Sequence, residues 1–403
     1  MNYKALIILL FHSTFAFQAC NTIKEKKVNN VISIEENQEV IEEILIDTVI
    51  FENEAIKADI LHTSLADFIS GKDKSYYDTI ISIDSDFWSE FSKEINDDFS
   101  KIERRRLLKM SKWSDSLFID ENIDTSLVFY PFSGPDFLHA YYLYPNANEY
   151  ILLALEDIGN IPNWKEIGSR ETKRYLENAN NFLRDIYLRS YFITKHMKLD
   201  IKKEEKISGV LPSLYWFLSR TDHQIFKVER VTLDVNGNLI LRDKDYGIDG
   251  VRFYFLKKGS QDIKMLTYFS CDISDDGFEE DNPELLIYLN NMRNCNTFVK
   301  SASYLMHYRS FKEIRNVILD KSITIFQDDT GMPYKYVNND NWEIRCFGSY
   351  VKPIKDFEKN YDIIYQNDLA SRYKKGDTER LPFSLGYHWR DASEQNQMLM
   401  IKN

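Results

Sequence analysis

The chain has 403 residues, 63 of them acidic and 51 basic, for a net charge of −12. A surface of that sign repels phosphates, so nucleic acid, whose nonspecific binding needs Lys and Arg to displace counterions, is not an expected partner. With 43% hydrophobic residues and only 14 Gly and 9 Pro, the chain is not disordered and can bury a substantial core.

In chain order, Lys4 followed by the apolar run from Ala5 to Phe17 has the form of an export signal. The run is too short to span a bilayer, which takes about 20 residues. Phe17-Gln18-Ala19-Cys20 is similar to the lipobox of bacterial lipoproteins, with Phe17 where Leu is usual. Cleavage before Cys20, with acylation of its thiol, would tie the protein to the bilayer. The expected setting is therefore the bacterial cell envelope, on the outer membrane or facing the periplasm. The small residues of Thr14-Phe15-Ala16 offer an alternative cleavage that would release a soluble secreted protein. Residues 20–43 are polar and charged and read as a tether.

Residues 44–206 read as a mainly helical lobe, in which Phe87, Phe91, Ile95, Phe99 and Ile102 keep helical phase. Arg104-Arg105-Arg106, the only dense cationic run, reads as the solvated face of a helix. A second long helix is expected from about Thr172 to Met197. Between the two, Phe129 to His139 reads as strand, tight turn and helix. Ser133 there invites comparison with a nucleophile elbow, with His139 or His388 as the base, which would make the chain an exported serine hydrolase. Pro131 stands where the elbow demands Gly, however, and Ser133 with Asp136 fits a capping box that would occupy the hydroxyl.

Residues 207–403 read as an α+β lobe. Asn236-Gly237 is expected to close a hairpin with positive φ at both central residues, and Val251 to Phe255 and Met265 to Phe269 continue an antiparallel meander. Helices are expected near Pro283 to Met292, Thr297 to Tyr308 and Phe311 to Asp320, and strands at Ile323 to Phe326 and Trp342 to Phe347. The fold class is thus α+β: an N-terminal helical part, then a mixed part with an antiparallel β-meander and C-terminal helices.

Asp272, Ser274, Asp276 and Gly277 occupy the first, third, fifth and sixth places of a calcium loop, but Pro283 takes the twelfth, so calcium is a partial signal and no cofactor is expected. Asp243, Asp245 and Asp249 form a second acidic loop. Asp329-Thr330-Gly331 is similar to the carboxylate turn of aspartic proteases, yet it has no second copy, and a β-turn explains it. Cys271, Cys295 and Cys346 match no zinc spacing and read as buried thiols, with at most one bridge. His307 reads as a core residue.

Three phrases carry a resemblance: Tyr130 to Phe137 (YPFSGPDF), Phe326 to Tyr334 (FQDDTGMPY) and Leu381 to Tyr387 (LPFSLGY). They resemble those of a bacterial family of exported proteins and lipoproteins to which no activity is attached. The resemblance implies one body of shared architecture in the envelope and carries no catalytic residue across. Taken together, the residues predict an envelope lipoprotein whose body binds a protein or a glycan, an expectation to which the 26 Phe and 25 Tyr contribute.

Overall fold

Two crossovers leave the centre of one sheet in opposite directions and set the architecture. The computed structural model describes residues 60–120, 123–193, 196–197, 208–243, 247–337, 340–376, 378–390 and 395–403. The signal, Cys20, the tether and Asp245 lie outside the described residues. Lys57–Asn403 forms one compact unit.

Helices α1 (Ile60–Ile69), α2 (Ser85–Ile102) and α3 (Leu108–Asp120) come first. Strand β1 (Leu127–Pro131), helix α4 (Phe137–Leu143) and strand β2 (Glu149–Ala154) follow, then α5 (Ser169–Phe182), α6 (Arg184–Arg189) and α7 (Leu211–Arg220). Next are β3 (His223–Leu233), β4 (Leu239–Leu241), β5 (Asp249–Lys257) and β6 (Lys264–Ser270), and after them α8 (Pro283–Asn291) and β7 (Cys295–Val299). The chain closes with α9 (Lys312–Lys321), β8 (Ser322–Gln327), β9 (Trp342–Gly348), α10 (Asn367–Lys375) and β10 (Asn396–Lys402).

The ten strands form one sheet in the order β4-β3-β5-β6-β2-β1-β7-β8-β10-β9. This corrects the expected α+β class. β6, β2, β1, β7 and β8 are mutually parallel, so the core is α/β, and the antiparallel meander of β3 to β6 is only one wing of it. Strands from either side of residues 206 and 207 pair directly, β2 with β6. The parallel strands escape the sequence reading because both their faces are covered: every residue of β1 and β7 is buried, which erases the alternation that marks a half-exposed strand.

One face of the sheet carries Val128, Tyr130, Tyr150 and Leu152 under α4 and the N-terminal helices. The other carries Leu127, Phe129, Ile151 and Ile325 under α8 and α9. In α2 the expected stripe of Phe91, Ile95, Phe99 and Ile102 is buried, and Asp84 caps the helix by accepting the Phe87 N–H at 2.8 Å.

Four local expectations are corrected. The predicted helix from Thr297 to Tyr308 is β7 followed by a loop in which Ser301, Ser303 and Tyr304 all have positive φ, between 52° and 58°, a backbone no helix can hold. The predicted helix from Thr172 to Met197 is broken into α5 and α6, which ends on Ser190 at φ 72°. In the β3–β4 hairpin only Gly237 has positive φ, because Asp234 accepts the N–H groups of both Asn236 and Asn238 and makes a wider turn. Between α2 and α3, a π-helical turn at Glu103–Leu107 rotates Arg106 inward. Arg106 is 2% exposed, not solvated.

Candidate functional site

β1 connects to β2 on one side of it through α4, while β7 connects to β8 on the other side through α9, and the two helices cover opposite faces. β1 and β7 are neighbours. Their outgoing segments therefore part company and open a crevice at the carboxyl ends of the strands, the place where open α/β sheets hold ligands. A cavity of about 390 Å³ lies there, within the usual range for small-molecule sites.

The segment after β1 supplies Ser133 and Asp136. Phe132 has φ 60° and Gly134 φ 55°, so the chain turns sharply off the strand. Asp136 caps α4, accepting the His139 N–H at 3.2 Å and lying 2.9 Å from His139 Nδ1. It also accepts from Tyr130 Oη at 3.3 Å and pairs with Lys300 Nζ at 2.7 Å, with both side chains essentially unexposed. Burial alone would raise the Asp136 carboxyl, but His139 and Lys300 together hold it below the usual carboxylate range. Burial pushes His139 down to about 4. Its ring is neutral at pH 7, and Nδ1 carries the proton that faces the acceptor-only carboxylate.

Lys300 leads the segment after β7. It donates to Ser190 O as well as to Asp136, and burial lowers its basicity while Asp136 opposes the fall. The left-handed residues that follow would each cost about 1–3 kcal/mol if unsupported. The segment after β8 supports them: Asp328 Oδ2 accepts the Ser301 N–H at 2.9 Å, Thr330 Oγ1 accepts the Ala302 N–H at 2.7 Å, and Tyr304 Oη donates to Asp329 Oδ2 at 2.7 Å. Asp328 O also accepts the Gly331 N–H at 3.1 Å, closing the turn expected at Asp329-Thr330-Gly331. Burial raises both carboxyls, and the neighbouring Asp328 helps push Asp329 to about 7.

The three phrases singled out in the sequence converge here. Tyr130 to Phe137 makes the floor and one edge, Asp328 and Asp329 brace the opposite loop, and Tyr387 lines the cavity. Gly386 (φ 71°) lies so close to Asp328 that a Cβ would stand 2.5 Å from Oδ2. Arg106 reaches the same phrase, donating from Nε to Ser384 O at 2.9 Å.

Of the other site candidates, Ser133 lines the cavity but directs its hydroxyl at Gly134 O (2.6 Å) and Leu153 O (3.3 Å). This corrects the capping box, whose cap is Asp136 alone. His139 is bonded to Asp136, and His388 lines an adjoining cavity; among the described residues neither imidazole is hydrogen-bonded to Ser133. Asp272 Oδ1 accepts the Ser274 N–H at 2.8 Å, Ser274 Oγ accepts the Gly277 N–H at 3.1 Å, and Asp276 precedes a short π turn. Among the described residues no three or more His, Cys, Asp or Glu side chains are grouped to hold a metal. Asp249 pairs with Arg230 and Arg242. Cys271, Cys295 and Cys346 are buried and free, and burial pushes the Cys295 thiol up to about 12. His307 Nε2 faces Asp329 O at 3.3 Å.

Sequence reasoning missed Lys300, Asp328, Tyr304 and the inward turn of Arg106. The available signal was the break from Phe298-Val299 into Lys300-Ser301-Ala302-Ser303. The cavity walls are aromatic, with Phe132, Tyr191, Phe311, Phe357 and Tyr387. Among the described residues its carboxylates are Glu156, Asp272 and Asp356, and its one cation, Lys300, is already paired with Asp136. Among the described residues no helix is long and apolar enough to cross a membrane. Comparison with known proteins returns no match: no family model, no curated protein and no solved structure.

Proposed function

We propose that the chain is a cell-envelope lipoprotein, held to the bilayer by acyl groups on Cys20, whose body binds a glycan in the crevice between the ends of β1 and β7. The observation that carries this reading is the lining of that crevice. Aromatic rings offer apolar faces on which a sugar ring packs, and carboxylates and serine hydroxyls beside them accept and donate hydrogen bonds to its hydroxyls. The Lys300–Asp136 pair beneath leaves the floor without net charge. The remaining carboxylates of the lining, Glu156, Asp272 and Asp356, disfavour an anion in the cleft, so the part of the ligand held there carries no negative charge. Hydrolysis through Ser133 has no support from the geometry, because its proton faces two carbonyl oxygens.

Calorimetry of the full-length chain in detergent against a panel of neutral oligosaccharides tests the reading. At least one is expected to bind, and Phe357→Ala to weaken it about tenfold, since stacked aromatic contacts are worth about 0.5–1.5 kcal/mol beyond area and 1.4 kcal/mol is tenfold. A panel without heat, or binding indifferent to Phe357→Ala and Tyr191→Ala, would overturn it. Mass spectrometry of the mature N-terminus tests the anchor separately: a bare amine on the first residue removes it.

A further inference from the structure

Beside the glycan cleft lies a second cavity of about 420 Å³. The two share Tyr191, Asp356 and Tyr387 as a common wall, so one ligand can reach from the first into the second. Their charges are opposite. In a chain of net charge −12, the second cavity gathers, among the described residues, Lys352, Lys355 and Arg390 against the single carboxylate of Asp356, with Arg189, itself paired with Asp185, on the same wall. Lys352 and Lys355 are exposed and have no ion-pair partner among the described residues. Like charges crowded into one concavity repel each other, and a recess walled by one sign focuses its field on whatever enters. The Asn396 amide and the His388 ring, 3.4 Å apart, also line the cavity.

We propose that this basic cavity is an oxyanion subsite, and that the ligand of the neighbouring cleft carries a phosphate or carboxylate group that it holds here. Guanidinium and ammonium groups around a concave wall are the arrangement that binds such groups. The aromatic cleft takes the ring and the basic cavity takes the charge. The inference rests on the glycan reading for the identity of the ring, but the subsite stands or falls by itself, because inorganic phosphate alone probes it.

The experiment is calorimetry of the full-length chain with inorganic phosphate at low ionic strength. Lys352→Glu/Lys355→Glu reverses two exposed side chains outside the core. Lys109→Glu/Lys112→Glu, on exposed positions of α3, makes the same change in net charge elsewhere. Phosphate is expected to bind the wild type and the α3 variant alike and the pocket variant at least about tenfold more weakly, with an affinity that falls as salt is added. Absence of phosphate binding, or equal loss in both variants, overturns the proposal. Two further arms identify the source of the group. A hexose 6-phosphate binding more tightly than phosphate points to a soluble acidic sugar. Capture by phosphatidylglycerol vesicles but not phosphatidylcholine vesicles, abolished by the pocket variant, points to a lipid headgroup. Phosphate binding with no neutral glycan bound would remove the glycan reading and leave the subsite intact.

Discussion

The centre of the sheet and its antiparallel wing belong to one sheet but follow different electrostatic rules. On the wing, charges sit near solvent: Asp249 pairs with Arg230 and Arg242, all three partly exposed. At the carboxyl ends of β1, β7 and β8, charges are fully buried, held by several bonds each, and set among left-handed residues that their own hydrogen bonds support. Surface pairs contribute little to stability, whereas removing one partner of a buried pair is costly.

The sharpest way to break the contrast is Lys300→Met. Asp136 would be left buried without its cation, at a cost of about 3–5 kcal/mol, read from urea unfolding. Adding Asp136→Asn, which keeps an oxygen for capping α4, is expected to return part of that loss. A double variant no more stable than Lys300→Met alone would show that the pair does not act as a unit.

Two glycines compare the regions directly. Gly259, between β5 and β6, has φ 87° and nothing within 4 Å of a new Cβ, so Gly259→Ala is expected to cost only the left-handed strain, about 1–2 kcal/mol. Gly386→Ala carries similar strain and also pushes against Asp328, displacing bonds worth about 1–3 kcal/mol. Equal losses at the two sites would mean that Asp328 moves aside freely.

Protonation separates the regions more gently. The Asp329 carboxyl is raised by burial to about 7 in the folded chain but is ordinary when unfolded. The folded state therefore binds the extra proton between pH 4 and 7, and this group's stabilising contribution is lost as pH rises through that window. His139, His223 and His307, depressed by burial to about 4, 3 and 4, act in the opposite direction and add stability as pH rises. Asp329→Asn removes only the first effect. The variant is expected to gain stability relative to wild type as pH rises from 5 to 8, measured as urea midpoints, and a constant difference would refute the assignment.

What the sequence disclosed follows the same division. The wing was legible because alternating residues in β3 and β5 and the Asn236-Gly237 turn are local signals. The centre was not, because a strand buried on both faces, such as Cys295–Val299, shows no alternation to set it apart from a helix, and only pairing with β1 and β8 decides. Ser133 drew attention as a lone hydroxyl on a sharp turn, while the residue that matters electrostatically, Asp136, looked like a cap and is both cap and counter-ion. Lys300 and Asp328 are separated in sequence by α9 and come together only through the order of the strands. The phrases around Tyr130, Asp328 and Gly386 were visible as phrases, but their convergence was not.

The smallest expected effect closes the comparison from the wing. Asp249→Asn loosens its contacts with Arg230 and Arg242, but solvent already screens them, so the loss should be about 0.2–1 kcal/mol. Its salt dependence is more telling than its size. Exposed charges are screened within about 10 Å at 0.1 M salt and buried ones much less, so raising the salt should shrink the Asp249→Asn penalty towards zero while leaving that of Lys300→Met nearly unchanged. If both penalties fell together, solvent would be reaching the Lys300–Asp136 pair, and the floor of the crevice would be wetter than the packing of β1 against β7 allows.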